Sequence, residues 1–200
     1  MSSQAIPPSP GRPRGFVPAA ALQAALAVFW RQGYEAASLD DLTAAMGLSR
    51  SSFYACFGSK HATLLAAVRS YADERFAALA TIAGSEPDAR AAVRAMLALV
   101  AGAEGGEHGC LFVNAVIELA PRDAELAALA RAHVARVSAL VAAALARAGL
   151  APALAERRAG ALLSCAIGAT MLRKAGIPAA HVAALLAEAD SLLNPQGNTT

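Results

Sequence analysis

Between Ser38 and Phe57 the residue types and their spacing suit one kind of chemistry, the reading of a duplex groove. Ser38, with Asp41 three residues on, is an acidic variant of the capping box and opens a short helix whose Leu39, Leu42 and Met46 turn inward. Gly47 tolerates the left-handed geometry of a tight turn, Thr43 is small enough for close helix contact, and Ser49 caps a second short helix. Leu48 and Phe53 hold that helix at a steep angle, so its outer face carries Arg50, Ser51, Ser52 and Tyr54, side chains able to approach base edges. An ordinary helical corner has the same pattern, and the spacing alone leaves both readings open.

Other chemistries find less support. There is no Gly-rich phosphate loop, no G-x-S-x-G, no H-E-x-x-H and no Cys/His pair close in sequence, so no enzyme is expected; a helical enzyme with a site assembled from distant residues stays the remoter alternative. Cys56, Cys110 and Cys165 are far apart and odd in number, which suits neither a disulfide framework nor zinc, and His108 and His133 lack a third ligand. No metal or cofactor is expected. Cys110 follows a loop with four glycines between Gly102 and Gly109, which keeps a thiol switch as a second way of sensing. Over 110–120, Cys110, Asn114 and Glu118 form one polar line on an apolar rod. They are candidate pocket residues, with Phe112, Met96 and Met171 as walls. Alternatively, Asn114 satisfies nearby backbone and Glu118 pairs with an arginine.

These residues need helices to position them. The chain has 200 residues, 56% of them apolar, and a mean hydropathy of +0.44, which excludes a disordered chain. Yet 55 residues are Ala, strong helix formers and poor core fillers, so closely packed helices are expected. Helices are predicted from Pro18 to Gly33, over the two short segments above, from Ser59 to about Ala83, and over 90–103, 110–120, 123–148, 152–175 and 178–193, nine in all with no strand. Residues 1–14, with four prolines, read as a flexible arm. Gly15–Trp30 and Ala159–Leu172 are the longest runs without Asp, Glu, Lys or Arg; both are too short to span a membrane, and the first makes a poor signal peptide, so a cytoplasmic chain is expected. Gly160, Ser164 and Gly168 recur every four residues, a stripe that permits close helix approach within the chain or between copies.

Read residue by residue, Ala25–Val68 resembles the N-terminal domain of the TetR family of bacterial transcription regulators. The likeness rests on Phe29, Gly33-Tyr34, Ser38, Gly47-Leu48-Ser49, Phe53-Tyr54, Phe57, Ser59-Lys60 and Leu64-Leu65. Thr43 and Cys56 depart from the commoner Ala and the commoner large aromatic or His. The resemblance implies an all-α chain in two parts, a helix-turn-helix DNA-binding domain over 15–75 and an effector-binding and dimerisation domain over 76–200. It implies a homodimer on a pseudo-palindromic double-stranded operator, most often a repressor released by a small, mainly apolar ligand. The contacting set is then Ser38, Ser49, Arg50, Ser51, Ser52, Tyr54 and Lys60, with Tyr54 and Lys60 on phosphates. The dimer would form through the last two helices, using Gly160, Ser164, Gly168, Leu185 and Leu192. Charge agrees: residues 1–60 hold five basic and three acidic side chains, a net of +2, which is the net charge of the whole chain.

Overall fold

Alanine-rich segments punctuated by glycine, proline and serine fold as closely packed helices in a computed structural model that describes residues 18–102 and 108–194. Among these lie α1 (Pro18–Gln32), α2 (Leu39–Met46), α3 (Arg50–Phe57), α4 (Lys60–Ser85), α5 (Ala89–Val100), α6 (Leu111–Leu119), α7 (Ala124–Arg147), α8 (Pro152–Lys174) and α9 (Ala179–Ala189), then a 3-10 turn, Asp190–Leu193, and no strand. The arm expected over 1–14 and the middle of the glycine-rich loop lie outside the described residues. The last predicted helix is shorter than expected, because Asp190 turns away to pair with Arg94 on α5 and the chain tightens into the 3-10 turn.

Large side chains are rationed into two apolar clusters. The first gathers Leu26, Phe29, Leu42, Phe53, Leu64 and Val68 from α1–α4, and takes in Leu111, Phe112 and Leu119 from α6 and Leu126 from α7. The second lies between α4, α5, α7, α8 and α9 around Leu79, Met96, Val141, Leu145 and Leu162. Both α4 and α7 contribute to both clusters along their length, and α4 is the longer. Its 26 residues span about 39 Å, and it packs on α1 and α3 at one end and on α5 and α7 further along.

Although it carries charges, α7 contains an 18-residue window of mean hydropathy 1.4, long and apolar enough by length and composition to cross a membrane. It packs on α4, α5, α6 and α8 with Leu126, Val137, Val141 and Leu145 buried.

Gly47 closes α2 at φ 65°, and no atom lies within 4 Å of where a Cβ would stand. Gly47→Ala is therefore expected to cost about 1–2 kcal/mol through backbone conformation alone. Ser38→Ala is expected to cost about 1 kcal/mol through the lost cap. Urea unfolding of the two variants checks both.

Candidate nucleic-acid interface and cavity

The two short helices are held from their ends. The Asp41 N–H donates to Ser38 Oγ at 3.0 Å and the Ser38 N–H donates back to Asp41 Oδ2 at 2.9 Å. The Ser38 hydroxyl, donating to Asp41 Oδ2 at 2.6 Å, and then the Ser38 N–H hold the Asp41 carboxyl below its ordinary pKa. At the turn Leu48 N–H donates to Thr43 O, and the Ser52 N–H donates to Ser49 Oγ at the start of α3. Phe53 is fully buried, which turns its neighbours outward. Arg50 and Ser51 are exposed, Ser52 is half-buried, and Tyr54 is 54% exposed, too much for the core aromatic it might otherwise be.

Three placements differ from a simple outward array. The hydroxyls of Ser38 and Ser49 are spent on the helix caps. Arg50 reaches across to α2, donating from Nη2 and Nε to Asp40 Oδ1 at 2.7 and 3.1 Å. Lys60, the first residue of α4, lies over the Tyr34 ring at 4.5 Å and donates to Glu35 O at 3.3 Å. Every acid of residues 18–60 is engaged: Asp41 in its cap, Asp40 by Arg50, and Glu35 by Arg122 at 2.5 Å.

Behind α4 and α6 lies a cavity of about 740 Å³, counting the part open to solvent. Tyr71 and Leu79 of α4, Phe112 of α6, His133 and Val137 of α7, and Leu163 of α8 form much of its wall. The six expected pocket residues divide. Cys110 and Phe112 line the cavity. Met96 does not, because it is sealed in the second core. Asn114 and Glu118 point the other way, since positions four apart share one helix face and that face meets α1 and α8. Asn114 donates to His108 O and accepts from Lys174 Nζ, both at 2.8 Å. Glu118 accepts from the N–H groups of Tyr34 and Glu35 at 3.0 and 2.9 Å. Met171 is 49% exposed in a cleft on that same side. Tyr71, which belongs to the first core, and His133 also border the cavity, and no spacing in the sequence links residues on different helices in that way. Among the described residues no group of three or more His, Cys, Asp or Glu is placed to hold a metal ion.

Tyr71 donates its hydroxyl to Cys110 Sγ at 3.6 Å, and burial, reinforced by Cys110, pushes its pKa far up, so it stays a neutral donor. His133 stands 4.6 Å from the Phe112 ring. Burial, then the charge of Arg136, lowers its pKa, and Nδ1 is buried without a hydrogen-bond partner.

Residues 21–68 match the family described as "Bacterial regulatory proteins, tetR family". Over 131 residues, 63% of this chain and 62% of the relative, the sequence is 34% identical to the HTH-type transcriptional repressor ComR of Escherichia coli K12. It is 33% identical to the HTH-type transcriptional regulator YezE of Bacillus subtilis 168 over 58% of this chain and 62% of YezE. The matched region thus spans less than two thirds of these relatives. Among solved structures, a cysteine mutant of the TetR family regulator CifR bound to a 26 bp double-strand operator DNA superposes with a TM-score of 0.75 at 29% identity, covering 92% of this chain and 98% of that one.

Because the folded value of His133 lies below its ordinary 6.5, the unfolded chain takes up the proton first. Stability linked to this ring is full above about pH 6.5 and falls as pH drops through the lower folded value. His133→Phe is expected to flatten the urea midpoint between about pH 7 and pH 5 relative to the parent.

Proposed function

We propose that this chain, whose residues 21–68 match the TetR family of bacterial regulatory proteins, acts in the cytoplasm as a homodimeric, sequence-specific DNA-binding repressor that a small, mainly apolar ligand releases. The observation that carries this reading is α3, capped at its start, anchored by Phe53 and presenting Arg50, Ser51 and Tyr54 outward, in a chain that superposes on an operator-bound regulator. Arg50 reads a base edge and Tyr54 and Lys60 hold phosphates. The Arg50–Asp40 pair is exposed on both sides, and such pairs are worth only about 0–1 kcal/mol, so exchange for a DNA acceptor costs little. One head at +2 is a weak polyanion binder; two heads on neighbouring groove faces, about 34–36 Å apart, multiply the affinity.

The partner copy docks on α8 and α9. Gly160 and Ser164 are exposed and Gly168 is half-buried; a Cβ at either glycine would meet nothing within 4 Å, and Met171, Leu172 and Ile177 extend an apolar surface. Leu185 borders this surface, half-buried. Leu192, also half-buried, packs in part against the second core of its own chain. A ligand in the cavity acts through α6, whose opposite faces meet the cavity and the turn after α1. Displacing Phe112 moves Glu118, and with it the backbone of Tyr34 and Glu35 beside Lys60. If the ligand favours the DNA-incompetent arrangement about 100-fold, about 2.7 kcal/mol, bound operator weakens ligand binding by the same factor.

A second reading has its own observation: Cys110, half-buried just before α6 in the cavity wall, accepts the Tyr71 hydroxyl. Exposed Cys56 and half-buried Cys165 have no such setting. Thiol titration of the native protein before and after peroxide separates the readings, since Cys110→Ser abolishes a thiol response and spares a non-covalent one.

An operator selected from a random duplex pool serves the tests. Lys60→Ala and Tyr54→Phe are expected to weaken binding to all sequences alike and flatten the salt dependence, whereas Arg50→Ala alters base preference by about 1–3 kcal/mol at its contact. Fluorescence anisotropy against salt distinguishes the two patterns; unchanged affinity and slope in the first pair removes their phosphate role. Gly160→Arg is expected to leave the folded chain intact and sediment as a monomer with weakened operator binding.

A further inference from the structure

One polar atom in the cavity wall is left over. Nδ1 of His133 is the buried side-chain nitrogen or oxygen without a hydrogen-bond partner among the described residues. Native interiors pair nearly all such atoms, so an exception in the wall of a cavity points to a partner that arrives from outside the chain. Its surroundings limit what that partner is. The ring of His133 stands 4.6 Å from Phe112, at 54° to it, and the Tyr71 ring forms part of the same wall. Leu79, Val137, Leu163 and Ile167 supply aliphatic surface, Arg75 lies over the Tyr71 ring at 5.3 Å, and no carboxylate occurs among the described lining residues. Burial and Arg136 keep the imidazole neutral, and with its proton on Nε2 such a ring offers Nδ1 as an acceptor. Aromatic walls favour a ring over a flexible chain, and the absence of a carboxylate disfavours a cation.

Resting on the reading of this cavity as the effector site, we propose that it takes an aromatic, mainly apolar molecule bearing one neutral hydroxyl, a phenol, whose O–H donates to His133 Nδ1. The apolar body supplies affinity by displacing water from the aliphatic wall, and the hydroxyl supplies selectivity. An analogue without the O–H leaves Nδ1 orphaned and gains nothing from it.

Calorimetric titration with 2-naphthol, 2-methoxynaphthalene and naphthalene tests this on the full chain and on His133→Phe, which keeps a ring beside Phe112 and removes both nitrogens. The parent is expected to bind 2-naphthol about five- to tenfold more tightly than the other two, and His133→Phe to lose that preference while binding naphthalene as before. Equal affinities for all three probes in the parent, or a preference that survives His133→Phe, overturns the hydroxyl assignment and leaves the cavity as a ligand site. No binding of any probe, with no difference between the parent and Leu163→Trp, overturns the cavity reading as well. Should His133→Phe fail to fold, the nitrogen-15 shift of His133 Nδ1 in the parent decides: it moves on adding 2-naphthol, and a shift no larger than that with naphthalene overturns the proposal.

Discussion

The carboxylate of Glu118 holds the end that carries α2 and α3 and the cavity end of this chain in one mechanical unit. It stands on α6, a short helix of nine residues, and accepts the two N–H groups that α1 and its turn leave exposed after Gln32. Gly33 makes this approach possible: its φ is 81°, and a Cβ there would stand 3.2 Å from Glu118 Oε2. The bonds are charge-assisted, and they fix the backbone over which Lys60 lies. Trp30 Nε1 adds a second tie by donating to Gly109 O at 3.0 Å, just before α6 begins. Whatever shifts α6 therefore reaches α1 and its turn directly, without passing along the whole of α4.

Composition explains why there is a cavity for α6 to border. With 55 alanines, helices approach closely, and the few large side chains concentrate where three or more helices meet. Phe29, Phe53 and Leu64 are buried in the head. Between α4, α6, α7 and α8 the same economy leaves a gap that Tyr71, Phe112 and His133 border without filling. An alanine-rich bundle thus combines a rigid head with a space in its body, and the two share α4 and α6 as common walls.

Charge is arranged with similar economy. A net of +2 gives no long-range attraction to nucleic acid, so the head depends on where each charge is held. Asp40, Asp41 and Glu35 are all occupied by partners on the protein. Asp41 and Glu35 are tied away from the outer face of α3, while the exposed Asp40 pair keeps Arg50 in place until a stronger acceptor displaces it.

The head was legible in the sequence because its determinants are local. Ser38 with Asp41, Gly47, Ser49 and Ser59 act within four residues of themselves, through caps and a left-handed turn, and each acts as its spacing predicts. Helix lengths followed from the same punctuation. The body was not legible to that degree. Asn114 and Glu118 do share a line on α6, while Cys110, just before the helix, lines the cavity; which line faces a space and which faces protein depends on how α1 and α8 pack against it, and spacing within one helix carries no information about its neighbours. Met96 shows the same limit, a plausible wall by type that packing seals into the core. Tyr71 and His133, 62 positions apart, border one cavity only in three dimensions, since that is set by how α4 and α7 pack. Sequence determined what each helix is and where it stops, because hydrogen bonds near its ends decide that. Tertiary structure alone decided which faces meet, because that depends on side chains from several helices filling one volume at once.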